Sequence, residues 1–173
     1  MAETAAGNVV LTGFMGTGKT TVGKLVAREL GWTFVDTDDV IEERHGPIPQ
    51  IFVERSEVAF RELEHEVAVE FAGREQHVIA TGGRMLLDPS NAQAFRETGQ
   101  IFCLTATAEA IVSRLRPDLQ NRPRPLLADG DLSLQVAQLL DERAAGYGQF
   151  EQVPTDGREP DDIAADIIGR LDL

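Results

Sequence analysis

The stretch Gly13-Phe14-Met15-Gly16-Thr17-Gly18-Lys19-Thr20-Thr21 constrains this chain more than any other. It fits G-x-x-x-x-G-K-[ST], the phosphate-binding P-loop, and lies where that pattern has physical meaning, between a strand and a helix. The run Asn8-Val9-Val10-Leu11-Thr12 before it reads as a buried parallel strand, and Val22, Leu25, Val26 and Leu30 recur behind it at helical spacing. A loop wrapped around a triphosphate must aim its N–H groups inward, which Gly13, Gly16 and Gly18 permit, with Thr17 and Thr21 completing the loop and the helix start. The helix N-terminus then faces the anion, Lys19 reaches the β and γ phosphates, and the Thr20 hydroxyl is placed to ligate Mg²⁺. A strand-to-helix turn matching the pattern by chance is the competing explanation, and both flanks argue against it.

The chain has 173 residues, the size of one domain with a single core, and 42% hydrophobic against 26% charged residues is an ordinary globular composition. Sixteen basic against twenty-nine acidic residues leave a net charge of −13, which argues against nucleic acid or an anionic membrane as partner. Residues 1–7 lack the basic start and apolar core of a signal peptide, and no apolar run approaches membrane-spanning length, so a soluble, cytoplasmic protein is expected. The single cysteine, Cys103, falls in Ile101-Phe102-Cys103-Leu104 and is expected to be buried. His45, His65 and His77 lack metal-ligand spacing.

Beyond the first helix, Gly31 is a stop, and Thr33-Phe34-Val35 is a short strand running into Asp36-Thr37-Asp38-Asp39. Ligands of parallel α/β sheets lie beyond the carboxyl ends of the strands, where this acidic cluster falls. One carboxylate could help hold hydrated Mg²⁺ and another accept a proton from an attacking hydroxyl; equally, Thr37, Asp38 and Asp39 could merely cap the helix through Val40, Ile41 and Arg44. His45-Gly46-Pro47-Ile48-Pro49 breaks that helix, and Ser56 can cap a long one with Phe60, Leu63, Val67 and Phe71 as its apolar stripe. Arg61 and Glu64 stand one turn apart on another face, where a solvated ion pair is the ordinary reading.

The strand His77 to Thr81 runs into Gly82-Gly83-Arg84, glycines that suit either close approach to a ligand or a tight turn. Asp88-Pro89 opens the helix through Phe95, Gln100 to Thr105 is a strand, and Thr107 caps a helix reaching Leu115. Such alternation predicts a parallel sheet with helices on both faces. Between Arg116 and Asp131 it stops; the arginines Arg116, Arg122 and Arg124 suit a phosphate-covering lid, the alternative being a plain surface loop. A helix from about Leu132 to Tyr147, a loop, and a helix from Pro160 to Leu171 close the chain.

This arrangement resembles the shikimate kinase family over nearly the whole chain. The matching residues are the P-loop, Phe34-Val35-Asp36-Thr37-Asp38, Phe60-Arg61, Ala80-Thr81-Gly82-Gly83, Arg124-Pro125-Leu126-Leu127, and Glu142-Arg143-Ala144 with Tyr147. The resemblance implies an α/β fold of the nucleoside monophosphate kinase type, a five-stranded parallel sheet flanked by helices with a lid at about 116–131, and phosphorylation of the shikimate 3-hydroxyl by Mg-ATP. It further implies that Asp36 supports Mg²⁺, that Asp38 binds substrate hydroxyls and acts as base, and that Arg61 and Arg143 hold the substrate carboxylate. Gly82 and Gly83 would supply backbone contacts, Arg124 would close over the phosphates, and Arg158 would lie on the nucleotide side. A monomer acting on a small molecule is expected.

Two positions depart from the family pattern: Arg84 stands where a third glycine is usual, and Gly148-Gln149-Phe150 replaces residues that tend to be basic or small. Arg84 could occlude the pocket, add an anion contact or turn outward, and the outward course is expected because long cations reach for water. The readings in competition are a related kinase for another hydroxylated acid and a non-catalytic nucleotide-binding module of the same fold. A GTPase switch is disfavoured because no N-K-x-D motif occurs.

Overall fold

The apolar strands predicted around the P-loop assemble into the middle of a five-stranded parallel sheet in a computed structural model, which describes residues 7–119, 121, 127 and 131–173. In chain order the elements are β1 (Asn8–Gly13), α1 (Lys19–Leu30), β2 (Thr33–Asp36), α2 (Thr37–His45), α3 (Ile48–Glu54), α4 (Glu57–Ala72), β3 (His77–Ala80) and α5 (Pro89–Arg96). There follow β4 (Gly99–Thr105), α6 (Ala108–Leu115), α7 (Leu132–Tyr147), β5 (Glu151–Pro154) and α8 (Pro160–Gly169). The strand order is β2-β3-β1-β4-β5, so β1, which carries the P-loop, is central, and the chain reverses its direction of winding there. A ligand crevice beyond the carboxyl end of β1 is the consequence.

Alternation along each strand divides the core between the two faces. Val9, Leu11, Val78, Phe102 and Leu104 pack on one face with Val22, Val26, Ile163 and Ile167 of α1 and α8. Val10, Ile79 and Cys103 pack on the other with Ile41, Phe60, Val67, Phe95 and Ile111. Cys103 is buried as expected, and burial pushes its thiol up to about 11, where it stays protonated and inert.

Local signals mostly act where the sequence placed them. Gly31 ends α1 in the left-handed conformation, and Ser56, Asp88 and Thr107 each accept a backbone N–H at the start of α4, α5 and α6. Two elements differ from expectation. The segment Pro47-Ile48-Pro49 ends α2 but also starts α3, because proline is tolerated in a first helical turn, where the N–H needs no partner. The loop expected after Tyr147 contains β5, an edge strand in which only Val153 is buried and which ends on a proline, so alternation hardly shows in its sequence.

Ser56 adopts φ 146° and ψ 170°, a region that favours glycine. Such strain costs about 1–3 kcal/mol, whereas exchanging a serine cap for glycine loses only about a few tenths of a kcal/mol. Glycine also raises unfolded-state entropy by about 0.4–1 kcal/mol. Ser56→Gly should therefore stabilise the protein by about 1 kcal/mol, read from the midpoint of urea unfolding; a lowered midpoint would show that the cap outweighs the strain.

Candidate active site

A cleft of about 600 Å³ opens at the carboxyl ends of the central strands, running from the P-loop to α3 and α4. Its P-loop half is shaped by backbone. Gly13, Gly16 and Gly18 have φ values of 131°, 77° and 94°, which side-chain-bearing residues rarely adopt, so the glycines set the curvature of the loop. Lys19 Nζ spans the loop, donating to the carbonyls of Gly13 at 2.8 Å and Phe14 at 3.0 Å. Thr17 is buried and donates its hydroxyl to the Phe14 carbonyl, bracing the turn from behind. Thr20 Oγ1 donates to Asp36 Oδ2 at 2.7 Å, and Asp36 Oδ1 accepts the N–H of Asp38 at 3.0 Å. One carboxylate thus caps α2 and pairs with the P-loop hydroxyl, so the cap falls to Asp36 and not to Thr37, Asp38 or Asp39 as the capping alternative had it.

The other half of the cleft is organised around Gly82 and Gly83. A Cβ on Gly82 would sit 2.8 Å from Asp38 Oδ1 and 2.9 Å from Glu64 Oε1; one on Gly83 would sit 3.3 Å from an Arg143 nitrogen. The Gly82 N–H donates to the Thr37 hydroxyl, and the Tyr147 hydroxyl donates to the Gly83 carbonyl at 2.6 Å. Both arginines are braced by aromatic rings: the Arg143 guanidinium lies 5.2 Å from the Phe14 ring centroid and Arg61 lies 5.1 Å from that of Phe60. Arg143 is buried, and Tyr147 is pushed above the usual phenol range by burial, which keeps its hydroxyl a neutral donor.

Glu64 is the most deeply buried carboxylate here, 2% exposed, and accepts from Arg61 at 2.7 Å. Burial pushes its carboxyl above the usual range, against the lowering influence of Arg61, Arg84 and Arg143. Arg61 also loses hydration, yet the carboxylates of Glu64 and Glu57 hold its pKa above the ordinary value. Within the pair the desolvation cost is borne by the more buried partner.

Of the residues singled out from sequence, Gly16, Gly18, Lys19, Thr20, Thr21, Asp36, Asp38, Arg61, Gly82, Gly83 and Arg143 line this one cleft. Gly13 and Thr17 lie behind the loop. Arg158 does not line the cleft; it donates to the Pro154 carbonyl and pairs with Asp166 at 3.0 Å. Arg122 and Arg124 lie outside the described residues, as does most of the expected lid, whereas Asp118 and Asn121 at its start line the cleft.

Sequence reasoning overlooked the Ile48 and Phe52 wall, because α3 went unread, and Arg114. Arg114, a cation in the last turn of the helix after β4, donates to the Gly16 carbonyl and to Thr155. The departure at Gln149-Phe150 proves structural, with Phe150 buried under Arg96, which bonds Gln149.

A family model described as shikimate kinase matches residues 15–172. The chain belongs to the shikimate kinase family. It is 44% identical over 162 residues to shikimate kinase of Geobacter sulfurreducens, covering 92% of this chain and 88% of that one. It is likewise 42% identical over 163 residues to shikimate kinase of Moorella thermoacetica. A solved structure of shikimate kinase from Acinetobacter baumannii in complex with shikimate superposes with a TM-score of 0.87, at 34% identity and covering 94% of this chain and 90% of that chain. A gluconokinase from Sinorhizobium meliloti, at 17% identity and TM-score 0.58, shares the fold. The family's α/β architecture is thus present here, with the five parallel strands expected. Among the described residues no helix is long and apolar enough to cross a membrane.

Proposed function

We propose that this member of the shikimate kinase family transfers the γ-phosphoryl group of ATP to the 3-hydroxyl of shikimate, giving shikimate 3-phosphate and ADP. The observation that carries the reading is the acceptor half of the cleft, where the Asp38 carboxylate lies against Gly82, the Arg143 guanidinium against Gly83, and Arg61, paired with Glu64, lines the same cleft as the P-loop. Guanidinium forks suit a carboxylate, and a carboxylate suits vicinal hydroxyls as acceptor. Shikimate carries both groups on one ring, and the Phe52 and Phe60 rings, 4.9 Å apart, offer that ring an apolar wall.

The roles follow from position. Arg61 and Arg143 anchor the substrate carboxylate, which orients the opposite edge of the ring toward Asp38. Asp38 takes the proton of the attacking hydroxyl as its oxygen bonds to the γ-phosphorus and the bond to the leaving ADP oxygen breaks. Lys19 neutralises charge on the transferring group, and Arg124, matched from sequence, adds a second cation there. The Thr20 hydroxyl and Asp36 carboxylate, hydrogen-bonded side by side at the mouth of the loop, are hard oxygen donors that fit Mg²⁺. Bound there, Mg²⁺ supplies charge neutralisation of the phosphate oxygens.

The deciding experiment is a coupled ADP-release assay with shikimate, quinate, gluconate and nucleoside monophosphates. Shikimate should be preferred by kcat/KM; turnover of gluconate alone would move the protein to the related kinase reading, and none with any acceptor would leave a binding module.

The pH dependence carries a further expectation. Glu64 takes up a proton above the usual glutamate value of 4.5, and once neutral it no longer holds Arg61 as an ion pair. The KM for shikimate should therefore rise as pH falls toward a point above 4.5. In Glu64→Gln that acid limb should move to lower pH, leaving only the titration of the substrate itself; an unmoved limb would assign it to another group.

A further inference from the structure

Arg84 has no part in the chemistry described above, yet it lines the same cleft. Its backbone, φ −106° and ψ −5°, is one any residue adopts, so the site has no need of glycine here. The side chain is 44% exposed, turned outward at the rim as expected and not into the carboxylate site. It crosses the rim to donate to Glu57 Oε1 at 2.9 Å, and the same oxygen accepts from Arg61 at 3.1 Å.

That shared oxygen matters because both terminal nitrogens of Arg61 are engaged, one by Glu64 at 2.7 Å and the other by Glu57. The Nε of Arg61 has no partner among the described residues, so donors remain for a substrate carboxylate, but the positive charge that carboxylate would meet is already matched by two protein carboxylates. Glu64 is buried and cannot leave without stranding its charge. Glu57 is 46% exposed and has a second cation available in Arg84. The titratable and charged groups facing Arg84 are Glu57 directly, with Glu64 and Tyr147 within reach of its field.

We propose that Arg84 is a positioning residue for the acceptor: it holds Glu57 at the rim, so that Glu57 yields one face of Arg61 when an anionic substrate enters. Resting on the shikimate kinase reading, this makes Arg84 a determinant of affinity for the substrate's carboxylate and not of the phosphoryl-transfer step. An exposed ion pair of this kind shifts binding by about 1.4-fold to fivefold.

Steady-state kinetics on the full chain test it. Arg84→Gly should raise the KM for shikimate by about 1.4-fold to fivefold, with kcat and the KM for ATP little changed, and Arg84→Lys should recover most of the loss. Adding Glu57→Gln to Arg84→Gly should return the KM toward the parent value, because the carboxylate that competes for Arg61 is then gone. An unchanged KM in Arg84→Gly, a fall in kcat instead, or a double variant worse than Arg84→Gly alone would each overturn the proposal. A parent protein that does not use shikimate brings down the functional reading itself, a failure visible before any variant is made.

Discussion

Lys19→Ala should yield a folded protein in which phosphoryl transfer falls by at least about a hundredfold. The lysine stands at the start of α1 with its ammonium across the loop, on the Gly13 and Phe14 carbonyls. In the kinase reading the charge it supplies is needed most in the transition state, where negative charge spreads over the transferring group, so kcat suffers more than nucleotide affinity. The loop keeps its shape because that shape comes from glycines in left-handed conformations and from the Thr17 brace. Coupled ADP release, with thermal unfolding as the control for folding, checks the claim. Near-parental turnover in a folded variant would remove the P-loop from the mechanism.

Asp38→Asn should lower kcat by about a hundredfold or more while ATP affinity holds within a few fold. Asparagine keeps the shape beside Gly82, where Asp38 Oδ1 packs close, and removes the capacity to accept a proton at the moment of attack. ATP sees the change weakly, since Asp36 and not Asp38 pairs with Thr20 of the P-loop. A variant with a raised KM for shikimate and unaltered kcat would make Asp38 a positioning group instead of a base.

Much of the nucleotide half was legible because it is local: strand, glycine loop, lysine and helix are contiguous, and each requirement falls on a fixed offset in sequence. Helix starts at Ser56, Asp88 and Thr107 were legible for the same reason, a cap being a contact across two or three residues. The acceptor half was not readable from the residues themselves. Arg61 beside Glu64 on a helix looks like any i, i+3 ion pair, and only the burial of Glu64 against Gly82, just beyond β3, in the field of Arg143 of α7, distinguishes it. Comparison with a family could point to Arg61 and Arg143 without saying what holds them in place. The β5 edge strand and α3 were missed because one buried side chain and a pair of prolines carry too little periodicity to register.

The sequence by itself determined the parallel α/β class, the phosphate loop and the burial of Cys103, all consequences of hydrophobic period and short-range turn chemistry. Tertiary structure alone decided that Asp36 serves both α2 and Thr20, that Gly82 and Gly83 are pressed between Asp38, Glu64 and Arg143, and that Arg84 ends on Glu57. Apart from the local cap on α2, those contacts join separate elements, α1 with β2, and α2, α4 and α7 with the loop after β3, brought together at the carboxyl ends of the strands. A side chain's partner across such a gap depends on where two separate backbones come to rest, which no spacing along one of them encodes.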